Sequence, residues 1–335
     1  MRRVLPILAS LAVSSTVPAI AETKLSARPS KGSQVQKTKA ERDGINPCNS
    51  PDPGFRGYRT WDRAPSMGQM ILPKSDFVGA DGQFDVVVHF HGHEPIRKEW
   101  VRVMGRTVLV GIDLGVGSGS YTNAFRSPRA FERLLSSLER GVAKATGHEK
   151  ARVGRIALSA WSAGYGALQQ ILTQPVASRI DAVFVLDGMH TGYLGRRLDQ
   201  AQLSSFIAYA RRASKGDEVM FISHSSIIPP GYASSTETAR HLVRALGGEP
   251  RRAAPRASDP WGMDLNSRFD RGGLHVRGFD GNDKPDHCAH IGLFRDALEV
   301  HLKPRWEKVS RQAPEPARAR RPSKVRKAPR RPDQR

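Results

Sequence analysis

Short, continuously apolar runs alternate with amphipathic stretches over most of this 335-residue sequence. The first run, Phe84–Phe90 (FDVVVHF), lacks the polar alternation of a half-exposed strand and therefore predicts a strand buried on both faces. A helical pattern follows it, and the pair then repeats to the end of the apolar region. This repeated strand–helix order predicts an α/β fold, a three-layer α/β/α sandwich with a mostly parallel central sheet.

The positions of the expected elements follow from the same pattern. Strands are predicted at 84–90, 107–112, 154–159, 182–186, 218–222 and 274–278, and helices at about 94–104, 127–146, 163–173, 196–213, 235–246 and 287–302. Residues 249–272 are polar and irregular, and we expect them to run over the surface. Because parallel strands end at one edge of a sheet, functional side chains are expected in the loops that follow them.

The amino-terminal region has the composition of an export signal. Residues 1–21 combine a basic start, an apolar stretch too short to span a bilayer and an Ala19-Ile20-Ala21 cleavage site. They predict a signal peptide cleaved after Ala21, with a retained anchor helix as the alternative, and no other segment is expected to span a membrane. Residues 22–45 are polar and basic, and we expect a linker there. The expected location is therefore secreted or periplasmic.

Positive charge is concentrated at the other end of the chain. The net charge is +21, and residues 303–335 hold 13 Lys and Arg, 3 acidic residues and six prolines. We expect one folded domain at 46–303 and a disordered basic tail at 304–335, because so few apolar residues cannot bury a core. Such a tail would solubilise the protein or bind an anionic polymer of the cell envelope. No finger, helix-turn-helix or aromatic interleaving pattern predicts a specific nucleic-acid site.

Cys48 and Cys288 are the two cysteines of the sequence. In an oxidising compartment we expect them to pair, with two buried free thiols as the alternative. No C-x-x-C spacing indicates a redox or metal site. A bond to Cys288 would attach the amino-terminal segment directly beside His287.

A serine stands at a predicted tight turn. The run Ala160-Trp161-Ser162-Ala163-Gly164 connects the predicted strand at 154–159 to the helix at 163–173. Small residues two positions before and after Ser162 permit a sharp, strained turn that exposes the hydroxyl above the sheet. Glycine usually fills the first small position, where this sequence has alanine. An ordinary serine at a helix N-terminus is the alternative, since serine is favoured there.

Other reactive side chains follow the predicted strands. They are His89, His91, His93, Asp113, Asp187, His190, His224, Asp280, Asp283, Asp286, His287 and His290. Together with Ser162 they include the nucleophile, base and acid types that acyl-transfer chemistry needs.

Three features resemble the α/β-hydrolase family of serine hydrolases over residues 50–303. They are the turn around Ser162, the His91-Gly92 pair after a buried strand, and the chain order Ser162, Asp187, His287. The resemblance implies an α/β-hydrolase fold, a nucleophile at Ser162 and no cofactor.

The resemblance also implies where an oxyanion would be held. One backbone N–H donor would lie at Gly92 or His93, after the first buried strand, and the other at Ala163, next to the nucleophile. Donors of this kind stabilise the negative charge that develops when a carbonyl group is attacked.

Two histidines follow the last predicted strand and are candidates for the general base. His287 and His290 are one helical turn apart, so spacing alone does not separate them. We favour His287, at the loop–helix junction with Asp286 as the expected N-cap, and keep His290 as the alternative. An imidazole suits this role because its pKa lies near neutral pH.

The acid that orients the base is expected at Asp187. Many family members carry it after the strand that ends here at Ser223-His224, and no acid stands at that position. In some members it follows the preceding strand, which implies Asp187, with Asp280 and Asp283 as alternatives. An Asp that caps or braces a loop is the other interpretation of Asp187.

The function predicted first is an exported, carboxylesterase-like serine hydrolase. It would cleave an ester or amide bond in a small-molecule or polymer substrate. A second hypothesis is a non-catalytic α/β-hydrolase-like protein that binds anionic envelope polymer through its basic tail. A third is a metal-dependent hydrolase, since His89, His91 and His93 alternate along a strand and could face one way as metal ligands.

Overall fold

A nine-stranded, mostly parallel sheet forms the centre of the structure and is covered by helices on both faces. The computed structural model describes Arg42 and residues 44–312. The predicted signal peptide at 1–21, most of the predicted linker at 22–45 and the predicted tail beyond residue 312 lie outside the described residues. In the described part of the chain, no helix is both long and apolar enough to cross a membrane.

The strands of the described region are numbered in chain order. They are β1 (Gln69–Ile71), β2 (Gln83–Phe90), β3 (Val108–Ile112), β4 (Arg152–Trp161), β5 (Ile180–Leu186), β6 (Tyr193–Leu194), β7 (Arg197–Leu198), β8 (Val219–Ser225), β9 (Arg251–Arg252), β10 (Leu265–Arg271) and β11 (Leu274–Phe279). The sheet order is β1-β3-β2-β4-β5-β8-β11-β10-β9, and β6 and β7 form a separate hairpin. The strands from β3 to β11 in this order are parallel, whereas β1 at one edge and β10 and β9 at the other are antiparallel.

The helices divide between the two faces of the sheet. In chain order they are α1 (His93–Trp100), α2 (Ser118–Phe125), α3 (Pro128–Thr146), α4 (Tyr165–Ile171), α5 (Ser204–Ala213), α6 (Ser235–Ala245), α7 (Lys284–Ala289), α8 (Gly292–Ala297) and α9 (Lys303–Gln312). Side chains of α2 to α6 belong to one hydrophobic core, and those of α1 and α7 to α9 belong to the other. In β2, Val86 and Val88 enter the first core and Val87 enters the second, as expected of a doubly buried strand. The predicted three-layer sandwich is confirmed.

Several segments differ from the prediction. The helix predicted at 196–213 is the β6–β7 hairpin followed by α5, and the last predicted helix is divided into α7, α8 and a π-helical turn at Leu298–Leu302. The stretch expected to be an irregular excursion contains β9 and β10. These strands lie at the sheet edge, where outward-facing side chains are polar, so they lack the continuous apolar run that reveals a central strand.

Folded structure extends beyond both predicted domain boundaries. Helix α9 continues past residue 303 and buries Trp306, whose Nε1–H donates a hydrogen bond to Asp181 at 2.5 Å. Within the predicted linker, Arg42 is buried, and its Nη2 lies 2.7 Å from Oδ1 of Asp286. The composition of the sequence did not predict either boundary, because each terminal segment is mostly polar. A single residue attaches each segment to the domain: the aromatic Trp306 at one end and the ion-paired Arg42 at the other.

Candidate active site

A cavity of about 350 Å³ opens at the carboxyl edge of the sheet. Its wall includes Ser162 after β4, Asp187 after β5, Ser225 at the end of β8 and His287 in α7. The other residues that line it are His190, Ile227, Pro229, Tyr232, Ser235, Asn282, Asp283 and Lys284. The structure thus brings together the three side chains that the sequence predicts as nucleophile, acid and base.

Ser162 occupies the tight turn between β4 and α4. Its φ is +49°, in the left-handed region that is strained for any residue with a side chain. A Cβ atom at Gly164 would lie 2.1 Å from the carbonyl oxygen of Phe90, so this position requires glycine. Ala160, at the first small position, is fully buried. The small residues on both sides therefore have the steric role that their spacing predicts.

Asp187 and His287 are joined by a direct hydrogen bond. The Nδ1–H of His287 donates to Oδ2 of Asp187 at 2.7 Å. Asp187 is buried, whereas the His287 side chain is partly exposed at the cavity wall. Because an ionised carboxylate can only accept hydrogen bonds, Nδ1 carries a proton in this contact, and in the neutral ring Nε2 is then the nitrogen with a free lone pair. Such a ring can accept a proton from a hydroxyl group.

Further hydrogen bonds hold the Asp187 carboxylate in place. Its Oδ1 accepts from the backbone N–H of Ser225 at 2.9 Å and from the Ser235 hydroxyl at 2.5 Å. Burial alone would raise the pKa of this carboxyl group. The imidazoles of His290 and His287 and the hydroxyl of Ser235 outweigh burial and hold that pKa well below its usual range. Asp187 is therefore ionised at neutral pH, the state that can stabilise a charged histidine.

His290 is fully buried and does not line the cavity. Its Nδ1 lies 2.8 Å from Oγ of Ser223. Its Nε2 lies 3.9 Å from Oδ2 of Asp187 and has no hydrogen-bond partner in the described structure. Burial lowers the pKa of His290 to about 4, so the ring is neutral at pH 7. Of the two candidate bases, the structure places His287 at the cavity.

The alternative acids have other partners. Oδ1 of Asp280 accepts a hydrogen bond from the Asn266 side chain at 2.8 Å. Asp283 lines the cavity, but its carboxylate accepts from the backbone N–H of Asp286 at 2.8 Å and so caps α7. The expected N-cap at Asp286 is therefore wrong. Asp286 lies within the first turn of α7, where it pairs with Arg42.

The amide donors expected at Gly92 and His93 are already occupied. The carboxylate of Asp113, which follows β3, accepts from the backbone N–H of Gly92 at 2.6 Å and from that of His93 at 3.4 Å. These residues lie at the start of α1, where an acidic neighbour accepts from the N–H groups, so the role of Gly92 and His93 as oxyanion donors stays a prediction. The Ala163 amide has no hydrogen bond to another described group, so Ala163 stays a predicted donor.

The three alternating histidines do not converge on one point. His89 is buried, with Nδ1 3.0 Å from the Ser159 hydroxyl and Nε2–H donating to the His91 carbonyl at 2.7 Å. Nδ1 of His91 lies 3.0 Å from the Tyr121 hydroxyl, and the His93 ring is held by a carboxylate. Among residues 44–312 and Arg42, no group of three or more His, Cys, Asp or Glu side chains is arranged to hold a metal ion. These contacts contradict the metal-ligand hypothesis for this cluster.

Trp161, which the sequence pattern did not single out, lies between two histidine rings. It stacks on His91 with the ring centroids 5.1 Å apart and an interplanar angle of 13°. It also packs against His287 at 4.9 Å, and its Nε1–H donates to the His287 carbonyl oxygen at 3.1 Å. Trp161 thus restrains both the ring and the backbone of His287. Its position directly before Ser162 in the turn is the signal that could have identified it.

The rings of His190 and Tyr232 form an uncharged aromatic part of the cavity wall. The His190 ring packs against Tyr165 and Tyr232, with centroids 5.7 and 5.0 Å away. Nδ1–H of His190 donates to the Ala233 carbonyl at 2.9 Å. Burial lowers the pKa of His190, so the ring is neutral at pH 7. This wall suits an apolar part of a bound molecule.

The predicted disulfide between Cys48 and Cys288 is confirmed. It connects the segment that precedes β1 to α7, directly beside His287. The ion pair between Arg42 and Asp286 makes a second connection to the same helix. The amino-terminal segment is therefore fastened to the element that carries the candidate base.

One known architecture accounts for the strand order of the sheet, the tight turn at Ser162 and the chain order of the cavity residues. The fold is the α/β-hydrolase fold. Among solved structures, an acylaminoacyl peptidase from Pyrococcus horikoshii is similar over 75% of this chain, with 14% identity and a TM-score of 0.42. This chain spans only 42% of that peptidase.

Two other solved structures are similar at the same level. LpqC, a poly(3-hydroxybutyrate) depolymerase from Bordetella parapertussis, matches 79% of this chain and 95% of its own, with 15% identity and a TM-score of 0.41. An uncharacterised protein from Capnocytophaga ochracea matches 73% of this chain and 63% of its own, with 9% identity and a TM-score of 0.39. No protein-family model and no curated protein sequence matches this chain.

Proposed function

We propose that this protein is a serine hydrolase that cleaves an ester or amide bond through an acyl-enzyme on Ser162. The hydrogen bond from His287 to the buried carboxylate of Asp187, on the wall of the cavity that Ser162 also lines, carries the proposal. A serine hydroxyl is a weak nucleophile until a base takes its proton. An imidazole with an unprotonated Nε2 is such a base.

In the proposed reaction, Oγ of Ser162 bonds to the substrate carbonyl carbon while its proton passes to Nε2 of His287. Asp187 keeps the ring in the required tautomer and stabilises the imidazolium. His287 then returns the proton to the leaving alcohol or amine as the bond to it breaks. A water molecule attacks the acyl carbon with the same base, which releases a carboxylic acid and regenerates the Ser162 hydroxyl.

Ala163 is the proposed backbone donor to the oxyanion of each tetrahedral intermediate. Its N–H has no hydrogen bond to another described group, and the residue after the nucleophile supplies a donor in this fold. A donor that is already oriented stabilises developing charge without reorganisation at the moment of reaction.

We also propose that the protein is secreted or periplasmic and carboxylesterase-like. The Cys48–Cys288 disulfide supports export, because such bonds persist in oxidising compartments. A histidine that a carboxylate holds at the wall of the cavity that Ser162 lines favours a catalytic protein over a polymer-binding relative that has lost activity.

Labelling with a fluorophosphonate, which reacts with activated serines, tests the proposal. The S162A variant is compared with S136A, which removes an exposed serine on α3 outside the cavity. Wild type and S136A should be labelled and should hydrolyse p-nitrophenyl acetate, and S162A should do neither. Labelling of S162A, or no labelling of a folded wild type, would contradict the proposal. Loss of hydrolysis on adding a chelator would favour a metal-dependent enzyme.

A further inference from the structure

Exposed large apolar side chains are concentrated at the edge of the sheet that carries the cavity. Five of the six in the described structure follow the carboxyl ends of β3, β5 and β8, and they are Val116, Tyr193, Leu194, Ile228 and Tyr232. Since the carboxyl ends of parallel strands lie at the same edge of the sheet, these five residues lie at the edge where the cavity opens. Single exposed apolar residues are ordinary, but a group of them around a cavity marks an interaction surface.

The sixth exposed residue, Val300, lies at the opposite edge. The ring of the next residue, His301, stacks on His275 at 3.9 Å and packs against Phe221 at 6.0 Å. His275 and Phe221 are near the starts of β11 and β8, which are the amino ends of these strands. Val300 is 63% exposed, close to the 69% of Leu194 and the 73% of Ile228. It is therefore a matched control for the other two.

Two of the exposed apolar residues, Ile228 and Leu194, belong to segments that adjoin the cavity wall. Ile228 stands between Ile227 and Pro229, both of which line the cavity. The β6–β7 hairpin that carries Leu194 is joined to the same loop, because the backbone N–H of Ala233 donates to the Thr191 carbonyl at 2.9 Å. A surface that covered Leu194 and Ile228 would therefore meet the mouth of the cavity.

Cationic side chains accompany these apolar residues. Arg196 and Arg197 follow Leu194 in the exposed hairpin, and Lys284 lines the cavity. In the described structure none of the three forms a salt bridge. Apolar side chains beside free arginines favour the surface of an anionic lipid layer, where the former enter the acyl region and the latter meet the phosphates.

We propose that this docking surface, defined as Val116, Leu194, Ile228, Arg196 and Arg197, binds an anionic lipid surface. The ester that reaches Ser162 is then one carried by a lipid in that surface. The proposal that the substrate is a lipid ester rests on the proposed function, whereas the proposal that this surface binds lipid does not. The aromatic wall at His190 and Tyr232 would contact the acyl chain as it leaves the lipid layer.

Co-sedimentation of the full chain with vesicles tests the docking surface. One set of vesicles is phosphatidylcholine, and the other is equal parts phosphatidylcholine and phosphatidylglycerol. L194S/I228S should weaken binding to the mixed vesicles about tenfold or more, because two apolar anchors are lost. R196Q/R197Q should weaken binding to the mixed vesicles and leave binding to pure phosphatidylcholine unchanged.

Two matched variants serve as controls for these losses. V300S removes an equally exposed apolar residue at the opposite edge, and R129Q/R133Q removes two exposed arginines of α3. Both should bind as wild type. If L194S/I228S binds the mixed vesicles as well as wild type does, the proposal is overturned. Attraction of the vesicles to the basic tail would give that result. An equal loss in V300S overturns it as well.

Hydrolysis of the soluble ester p-nitrophenyl acetate separates docking from catalysis. All four variants should hydrolyse it at the wild-type rate, because none of the changed residues lines the cavity. Vesicle binding by a protein that no fluorophosphonate labels would support the docking surface and overturn the proposed function. Fluorophosphonate labelling of a protein that binds no vesicle would support the proposed function and overturn the docking surface.

Discussion

Nδ1 of His287 lies 2.7 Å from Oδ2 of Asp187, although 100 positions separate the two residues in the chain. Asp187 follows β5 and His287 follows β11, and β8 lies between these strands in the sheet. They meet because the carboxyl ends of parallel strands lie at one edge. This contact between a buried carboxylate and a partly exposed imidazole is the observation on which the proposed function rests.

Replacing Asp187 by Asn should slow hydrolysis of p-nitrophenyl acetate by about 10⁴-fold, the size of effect seen when a carboxylate in this role becomes an amide. An amide can donate to Nδ1 and so hold the His287 ring in the wrong tautomer. D280N makes the same charge change at a carboxylate that contacts Asn266. It should remain close to wild type, and an equal loss in both variants would contradict the assignment of Asp187.

The two candidate bases should respond differently to substitution. H287Q should lose fluorophosphonate labelling as completely as S162A, because it removes the imidazole that Asp187 holds at the wall of the cavity that Ser162 also lines. H290Q should keep labelling but unfold at lower temperature, since leaving the buried Ser223 hydroxyl without its partner costs about 1–3 kcal/mol. A folded H290Q protein without labelling, together with a labelled H287Q protein, would reverse the assignment.

The central strands could be predicted because burial on both faces makes them apolar throughout. Phe84–Phe90 is continuously apolar apart from Asp85 and His89, and the structure places its valines in two different cores. Strand β10, which lies next to the short edge strand β9, could not be predicted in this way. Most of its side chains are partly or fully exposed, and its place depends on pairing with β11.

The candidate site was predictable where local sequence determines geometry. Ser162 is placed by the small residues of its own turn, and Gly164 in particular has no room for a side chain. The contact of the Gly92 and His93 amides with Asp113, about 20 positions further along the chain, could not be predicted from the sequence. No local pattern reports such a contact.

Reduction of the Cys48–Cys288 disulfide should lower activity before the domain unfolds. The bond closes a loop of 240 residues beside His287, so its loss should cost about 3–5 kcal/mol of unfolding free energy and loosen α7. A reductant does not break the ion pair from Arg42 to Asp286, which is the second connection to α7. Hydrolysis of p-nitrophenyl acetate and near-ultraviolet circular dichroism are measured over one series of reductant concentrations. Simultaneous loss of both signals would show that the disulfide supports the whole domain instead.

The contact between Asp113 and His93 should make stability depend on pH. Burial alone would raise the pKa of Asp113, but the hydrogen bond from His93 outweighs it and lowers that pKa to about 2. The same bond raises the pKa of His93 above its ordinary value of 6.5. The Asp113 contribution is therefore present above about pH 4 and lost as pH falls toward about 2. The His93 contribution is present below about pH 6.5 and lost as pH rises through the folded-state pKa.

D113N should reduce the pH dependence of the unfolding free energy in both the acidic and the neutral range. In acid it removes the carboxyl group that titrates, and near neutral pH it removes the charge that raises the pKa of His93. Urea unfolding of wild type, D113N, H93Q and the double variant from about pH 2 to about pH 8 measures the effect. The two single changes should not add, since each removes the same contact. Additive effects, or a D113N profile parallel to that of wild type at every pH, would show that the contact contributes nothing to the start of α1.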